Sequence, residues 1–88
     1  MKAIGYGITS WAIGDKVKIT KRSWEHIRNS NRSILAYPDD NFCLVAHRLM
    51  TKRTRGFVTE RFYPGYDVNV LFKDGTTLQM KSHWIETA

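Results

Sequence analysis

The alternation of apolar and polar residues predicts strands at both ends of the chain. Near the N-terminus, Val17 and Ile19 are separated by lysines, which is the period-two pattern of a strand with one buried face. The two β-branched side chains then face the core and the lysines face water. In the C-terminal part, turn residues separate short segments that are also predicted to be strands. The whole pattern predicts five strands, near residues 15–20, 56–63, 66–73, 76–82 and 85–87, and residues 3–8 are consistent with an edge strand or lead-in arm.

The third and fourth predicted strands form a hairpin whose register depends on the length of its loop. A two-residue loop, Asp74-Gly75, would place Val70 opposite Gln79 and bring a polar side chain to the apolar face. A three-residue loop, Lys73–Gly75, places Val70 opposite Leu78 and puts glycine at the third loop position. The bulge of that loop type needs a left-handed residue there. The three-residue loop is therefore predicted.

Between the first two strands, the spacing is helical instead of alternating. The residues that recur on one helix face are Phe42, Val45, Ala46 and Leu49. Asn41 is a suitable N-cap, and the acids Asp39 and Asp40 lie where a helix N-terminus favours negative charge. The short run Cys43–Ala46 also fits a strand. The agreement of the capping signals favours the helix.

A shorter helical segment is predicted upstream of this helix. In Ser23–Ser30, Trp24 and Ile27 fall on one face, which indicates one or two helical turns. The Asn- and Ser-rich segment Asn29–Asn31 that follows is typical of a loop.

Three segments resemble the pattern of small SH3-like barrels of the Tudor or KOW type. They are Gly14–Ile19, the Gly-x-Val of Gly56–Val58 and the Phe-x-Asp-Gly of Phe72–Gly75. The resemblance implies a mainly β fold, an SH3-like five-stranded barrel with residues 21–55 as a partly helical insertion between the first two barrel strands. It also implies that Trp84, after the short turn that often precedes the last strand, plugs the core. This barrel carries many functions, so the resemblance bears on fold more than on function.

Length and composition limit the protein to one modest domain. The chain has 88 residues, 42% of them hydrophobic, which fits a single domain over residues 1–88 with one small core. It contains no apolar run of about 18 residues and no signal-peptide pattern near its start. Its single cysteine, Cys43, builds no disulfide framework. These features together predict a cytoplasmic protein with no membrane partner.

Positive charge is concentrated in the middle of the chain. Between Lys16 and Arg61 there are eleven Lys and Arg against four Asp and Glu, whereas the whole chain has a net charge of +6. A field of one sign attracts polyanions, of which nucleic acid is the commonest in the cytosol. A basic surface that only increases solubility is the alternative.

The densest basic cluster is Thr51–Gly56, immediately before the second strand. Lys and Arg supply charge to phosphates, threonine hydroxyls donate to phosphate oxygens, and Gly56 would permit close backbone approach. The cluster is also consistent with a solvated connector that happens to be basic. The predicted nucleic-acid-binding residues are Arg48, Lys52, Arg53, Arg55, Arg61, Lys21, Arg22, Arg28 and Arg32.

Aromatic residues surround the predicted Pro64-Gly65 turn. Phe62, Tyr63 and Tyr66 lie there beside Arg61, and aromatic rings among bases suit stacking on unpaired nucleotides. Tyr63 and Tyr66 are the stacking candidates. In a small barrel such rings also close the core, which is the alternative.

No catalytic or metal-binding motif emerges. Cys43 and His47 have the i, i+4 spacing that a metal can use, but a structural zinc site needs four ligands and no further motif completes it. The carboxylates are isolated or belong to turns, and the chain has no nucleophile motif and no glycine-rich phosphate loop. The sequence therefore predicts a protein that is not an enzyme and needs no cofactor or metal.

Two functions follow from these features. The first is an accessory protein that binds nucleic acid, duplex DNA before RNA, through phosphate contacts with little sequence specificity. Compact basic chains of this kind resemble bacteriophage accessory proteins that bind the genome or modulate transcription. The alternative is an interaction module that docks on an acidic protein and modulates or inhibits it. The sequence indicates no oligomeric state.

Overall fold

A computed structural model describes residues 11–30, 40–63 and 66–88 of the chain. The elements are strand β1 (Lys16–Ile19), helices α1 (Lys21–Ser30) and α2 (Asp40–Thr51), strands β2 (Arg55–Phe62), β3 (Asp67–Phe72) and β4 (Thr77–Lys81), a 3-10 turn (Ser82–Trp84) and strand β5 (Ile85–Thr87). The five predicted strands are confirmed, because each observed end lies within one residue of its predicted position. The predicted arm at residues 3–8 and the Pro64-Gly65 turn lie outside the described residues.

The strands form one antiparallel sheet in the order β4-β3-β2-β1-β5. Strand β1 pairs with both β2 and β5, so the N-terminal strand joins the last strand to the body of the sheet. Strands β4 and β5 are the two edges, and no ladder joins them in the described part of the chain. The architecture shown is thus a five-stranded antiparallel sheet with two helices. A closed barrel would need β4 to pair with β5, and the described residues show no such pairing.

The hairpin between β3 and β4 has the predicted register. Val70 lies opposite Leu78 and Val68 opposite Met80. The Gly75 N–H donates to the Phe72 carbonyl at 2.9 Å, and Gly75 has a φ of 93°. The three-residue loop with a left-handed glycine is confirmed, since only this loop length keeps apolar residues opposite one another.

Both predicted helices are present, with two corrections at their ends. Helix α1 continues to Ser30, so the predicted loop is wrong for Asn29 and Ser30, and Asn31 lies outside the described residues. Helix α2 begins at Asp40, so Asn41 lies inside the helix and is not its N-cap. For α1, Thr20 takes the capping position, because its hydroxyl accepts the Ser23 N–H at 3.2 Å.

The core lies between the inner face of the sheet and the two helices. Its buried apolar residues are Trp11, Val17, Ile19, Ile27, Ala46, Leu49, Val58, Val68, Val70, Phe72, Met80, Trp84 and Ile85. The indole N–H of Trp11 donates to the Ser82 carbonyl at 2.9 Å, which ties the segment before β1 to the turn before β5. Trp84 is buried against Phe42 of α2, as its predicted core role requires.

Candidate nucleic-acid interface

The connector between α2 and β2 presents two cations through a tight helix end. The Thr54 N–H donates to the Leu49 carbonyl at 3.0 Å and the Arg53 N–H to the Met50 carbonyl at 3.1 Å, which is the pattern of a Schellman motif. Arg53 takes the left-handed position of this motif, with a φ of 54°. Glycine is the usual residue there because a Cβ is strained at positive φ. Lys52 and Arg53 are both exposed on this turn.

Like charges are placed side by side where the connector enters the sheet. Arg55, the first residue of β2, lies directly opposite Lys18 of β1. On its other side, the Lys73 N–H donates to the Arg55 carbonyl at 2.9 Å, and Lys73 is exposed. Three cations are therefore neighbours here, Lys18 on β1, Arg55 on β2 and Lys73 at the first position of the β3–β4 loop. Directly opposed like charges destabilise a sheet. Glu86 of β5 offsets this in part, at 4.0 Å from the Lys18 ammonium.

The next row of the outer face combines a cation with an apolar pair. Lys16 lies opposite Phe57, and Phe57 lies opposite Leu71. Phe57 and Leu71 remain 36% and 42% exposed. The outer face of the sheet is thus cationic at one end, with a small apolar patch beside the charges.

A groove adjoins the cationic end, between the start of α1, the end of α2 and the strands β1 and β5. Its volume is about 520 Å³, and Lys18, Lys21 and Arg53 line it together with Glu86. The side chains of Trp24 and His47 also line it, with ring centroids 5.1 Å apart. The cations that surround this groove and the adjoining sheet together form the basic face of the protein: Lys16, Lys18, Lys21, Lys52, Arg53, Arg55 and Lys73.

Arg48 differs from its neighbours because an acid partly neutralises it. Its guanidinium lies 3.6 Å from the Asp74 carboxylate in the β3–β4 loop. Hydrogen bonds from the backbone N–H and side chain of Thr76 lower the pKa of Asp74, and the charge of Arg48 adds to this. Asp74 therefore remains an anion beside Arg48 at neutral pH. This makes Arg48 a weaker phosphate contact than the sequence predicts.

Gly56 has a structural role within the sheet. A Cβ at this position would lie 2.7 Å from the Leu71 carbonyl oxygen and 2.8 Å from a Val70 methyl group. Gly56 is also buried and faces the inner side of the sheet. The glycine is therefore needed for close approach of β2 to β3, which explains this residue without a phosphate contact, and the contact stays a prediction.

The other predicted cations are divided between the basic face and more distant positions. Lys21 lies at the groove, and Arg28 follows Trp24 by one turn on the same flank of α1. Arg22 lies on the opposite flank by helical spacing. Arg61 lies six residues from Arg55 along β2, roughly 20 Å away. The predicted contact at Arg32 lies outside the described residues.

Tyr63 and Tyr66 lie far from the basic face. They follow β2 and precede β3, at the end of the sheet where Arg61 lies. Tyr63 is fully exposed and Tyr66 is 44% exposed, so these rings do not close the core. Two described cations lie at the same end of the sheet, Arg61 and Lys81, and Lys81 is paired with Asp67 at 2.9 Å.

Sequence reasoning missed Trp24 and Lys73 as site residues. Lys21, Trp24 and Arg28 recur at i, i+3 and i+7, a spacing that places an aromatic ring between two cations on one helix flank. That signal was available in the sequence. The place of Lys73 beside Arg55 depends on the pairing of β2 with β3, which no local pattern near either residue indicates.

Neither a metal site nor a membrane-spanning helix is present within residues 11–30, 40–63 and 66–88. Over these ranges, no three His, Cys, Asp or Glu side chains come together as a metal site would require. Cys43 packs against α1, with its sulfur 3.9 Å from the Ile27 carbonyl oxygen. In the same ranges, neither helix has the length and apolar character needed to cross a membrane.

Comparison of the chain with protein-family models, with curated proteins and with solved structures finds no match.

Proposed function

We propose that the protein binds nucleic acid, with duplex DNA as its principal ligand, through phosphate contacts made by the basic face. The observation that carries this proposal is the placement of Lys18 opposite Arg55 on neighbouring strands, with Lys73 beside Arg55 at the start of the β3–β4 loop. They lie beside the exposed Lys52 and Arg53 of the connector. A phosphate backbone relieves the repulsion within such a row, because it supplies negative charge at regular spacing.

Affinity in this proposal comes mainly from charge and carries little base discrimination. Within the described residues, no salt bridge to an acid involves Lys52, Arg53 or Arg55, so these charges are available to phosphates. Phosphate contacts position a protein on DNA without reading its sequence. We therefore expect an accessory role in transcription or genome handling in the cytoplasm, with no catalytic step.

We also propose that the sheet belongs to an SH3-like barrel. An SH3-like barrel of the Tudor or KOW type is supported by the position of the five strands and by the 3-10 turn Ser82–Trp84 before β5. Burial of Trp84 at this turn also supports it. An experimental structure in which β4 approaches β5 and closes the sheet would establish the barrel.

The test is a salt titration of duplex binding with charge-matched variants. Lys52→Ala with Arg55→Ala removes two charges of the basic face, and Arg22→Ala with Arg61→Ala removes two charges away from it. The parent should bind a 20-base-pair duplex with a steep dependence of log Kd on log salt. Each phosphate that a variant no longer neutralises should reduce the slope by about 0.9, so the slope should fall by nearly two in the first double variant only.

The possible outcomes test two things separately: whether the protein binds duplex DNA, and whether the basic face makes the contacts. Equal reductions in affinity in both double variants would show that overall charge, and not the basic face, determines binding. Absence of duplex binding at low salt would refute the proposed function.

A second candidate function, docking on an acidic protein, is supported by an exposed apolar pair on the sheet. Phe57 and Leu71 form an exposed apolar pair beside Lys16, and an apolar centre with a charged rim is typical of protein-docking surfaces. An acidic protein is the partner that this surface fits. Failure of DNA binding with an intact fold would leave this candidate in place.

A further inference from the structure

The groove beside the basic face contains a tryptophan that the core does not bury. Trp11 and Trp84 are 1% and 2% exposed. Trp24 is only half-buried and lines the groove together with His47, its ring 5.1 Å from the imidazole and tilted by 54°. An aromatic ring that lines a groove can stack on a planar ligand.

The charges around this aromatic pair select an anionic ligand. Among the described residues, Lys18, Lys21 and Arg53 line the same groove, and Glu86 is the one acid beside them. The volume of about 520 Å³ lies within the range of roughly 300–1,000 Å³ that small-ligand sites occupy. A ligand that suits the groove is therefore planar at one end and anionic at the other.

We propose that the groove holds one unpaired nucleotide of a nucleic acid bound on the basic face. Its base lies against Trp24 and His47, and its phosphate contacts Lys18, Lys21 and Arg53. This inference rests on the proposed function, because Lys18, Lys21 and Arg53 belong to both the groove and the basic face. A nucleic-acid strand bound on the basic face can therefore pass from the sheet into the groove. The protein then prefers the junctions and ends of duplexes to their uninterrupted middle.

The experiment compares one duplex in two forms. A blunt 16-base-pair duplex and the same duplex with a four-thymine 3′ extension are titrated into the protein, with intrinsic tryptophan fluorescence as the second readout. Stacking of one base is worth about five- to 150-fold in affinity, so the extension should improve Kd by a factor in that range. It should also quench emission, because Trp24 is the tryptophan that lines the groove.

Two variants of Trp24 distinguish stacking of the ring on a base from apolar packing within the protein. Trp24→Phe keeps an aromatic face and should retain most of the gain from the extension. Trp24→Leu keeps an apolar side chain without a ring and should lose the gain, which is measured within each variant as the ratio of Kd for the blunt duplex to Kd for the extended duplex. Circular dichroism melts establish that each variant is folded at the assay temperature.

Each outcome decides the inference. If the extension changes neither Kd nor fluorescence in the parent, the inference is wrong while duplex binding stands. If the gain survives in Trp24→Leu, the groove contributes charge without stacking, and the base assignment is wrong. If inorganic phosphate displaces the extended duplex as well as thymidine monophosphate does, the groove is a simple anion site and the inference is wrong. If neither duplex binds, the proposed function itself fails. Should Trp24→Leu not fold, the parent measurements alone decide.

Discussion

Replacement of Arg53 by glycine should stabilise the protein and weaken its binding to DNA. Arg53 has a φ of 54° at the end of α2, where an L-residue with a side chain costs roughly 1–2 kcal/mol. Glycine removes that strain but loses about 0.4–1 kcal/mol through the greater entropy of the unfolded chain. The midpoints of these two ranges give an expected net gain in the free energy of unfolding of about 0.8 kcal/mol. For a domain of 88 residues this raises Tm by roughly 3–6 °C.

The assay is thermal and urea unfolding of the parent, Arg53→Gly and Lys52→Gly. Lys52→Gly removes the same charge from the adjacent residue, but Lys52 has no positive φ to relieve. Its N–H donates to the Arg48 carbonyl at 3.0 Å, which continues the helical hydrogen bonding of α2 to Lys52. Glycine should lower stability there because it loses more backbone freedom in a helical conformation than lysine does. Both variants should lower the salt slope of duplex binding by about one.

A loss of stability in Arg53→Gly would refute this reasoning. It would mean that the guanidinium makes interactions worth more than the backbone strain, or that α2 ends with a different geometry. Equal changes in Tm for both variants would show that relief of the positive φ at Arg53 contributes nothing, since the two variants share the loss of one cation and the gain of one glycine.

Two further predictions concern positions away from the groove. Gly56→Ala should destabilise the sheet by about 1–3 kcal/mol in urea unfolding, since its Cβ would lie 2.7 Å from the backbone oxygen of Leu71. An unchanged midpoint would show that β2 and β3 are further apart than in this structure. Burial, with the charges of His26 and Lys81, lowers the pKa of His83 from 6.5. The unfolded chain then binds the proton first, so stability should fall as pH is lowered through about 6.5, and His83→Gln should flatten this dependence.

The strands could be predicted because their signals are local. Alternation around Val17 and the loop chemistry at Gly75 each involve a few consecutive residues, and the apolar match of Val70 with Leu78 permits only one hairpin register. The helix α2 was predictable for the same reason. Its start was not, because Asp40 and Asn41 are both good residues for a helix N-terminus and only the chain path distinguishes them.

The composition of the candidate site was less predictable because it depends on pairing across long stretches of chain. Lys18 and Arg55 meet through the β1–β2 ladder although the two helices separate them in sequence. The groove needs both helices and two strands to be in place before Trp24 and Arg53 share a surface. The irregularity between Val58 and Glu60 in β2 has no glycine to signal it, and it changes which face each later residue of the strand presents.

Two local costs to stability coincide at the basic face. Arg53 occupies a left-handed position that glycine would fill without strain, and Lys18 faces Arg55 where an acid would form a favourable cross-strand pair. If folding alone determined these residue types, glycine and an acidic residue would serve better at little cost to the rest of the sheet. Each departure instead adds positive charge to the same surface. Strain and repulsion confined to one surface are typical of a binding site, where a ligand of opposite charge offsets them. That coincidence supports anion binding at the basic face more strongly than the net charge of the chain does.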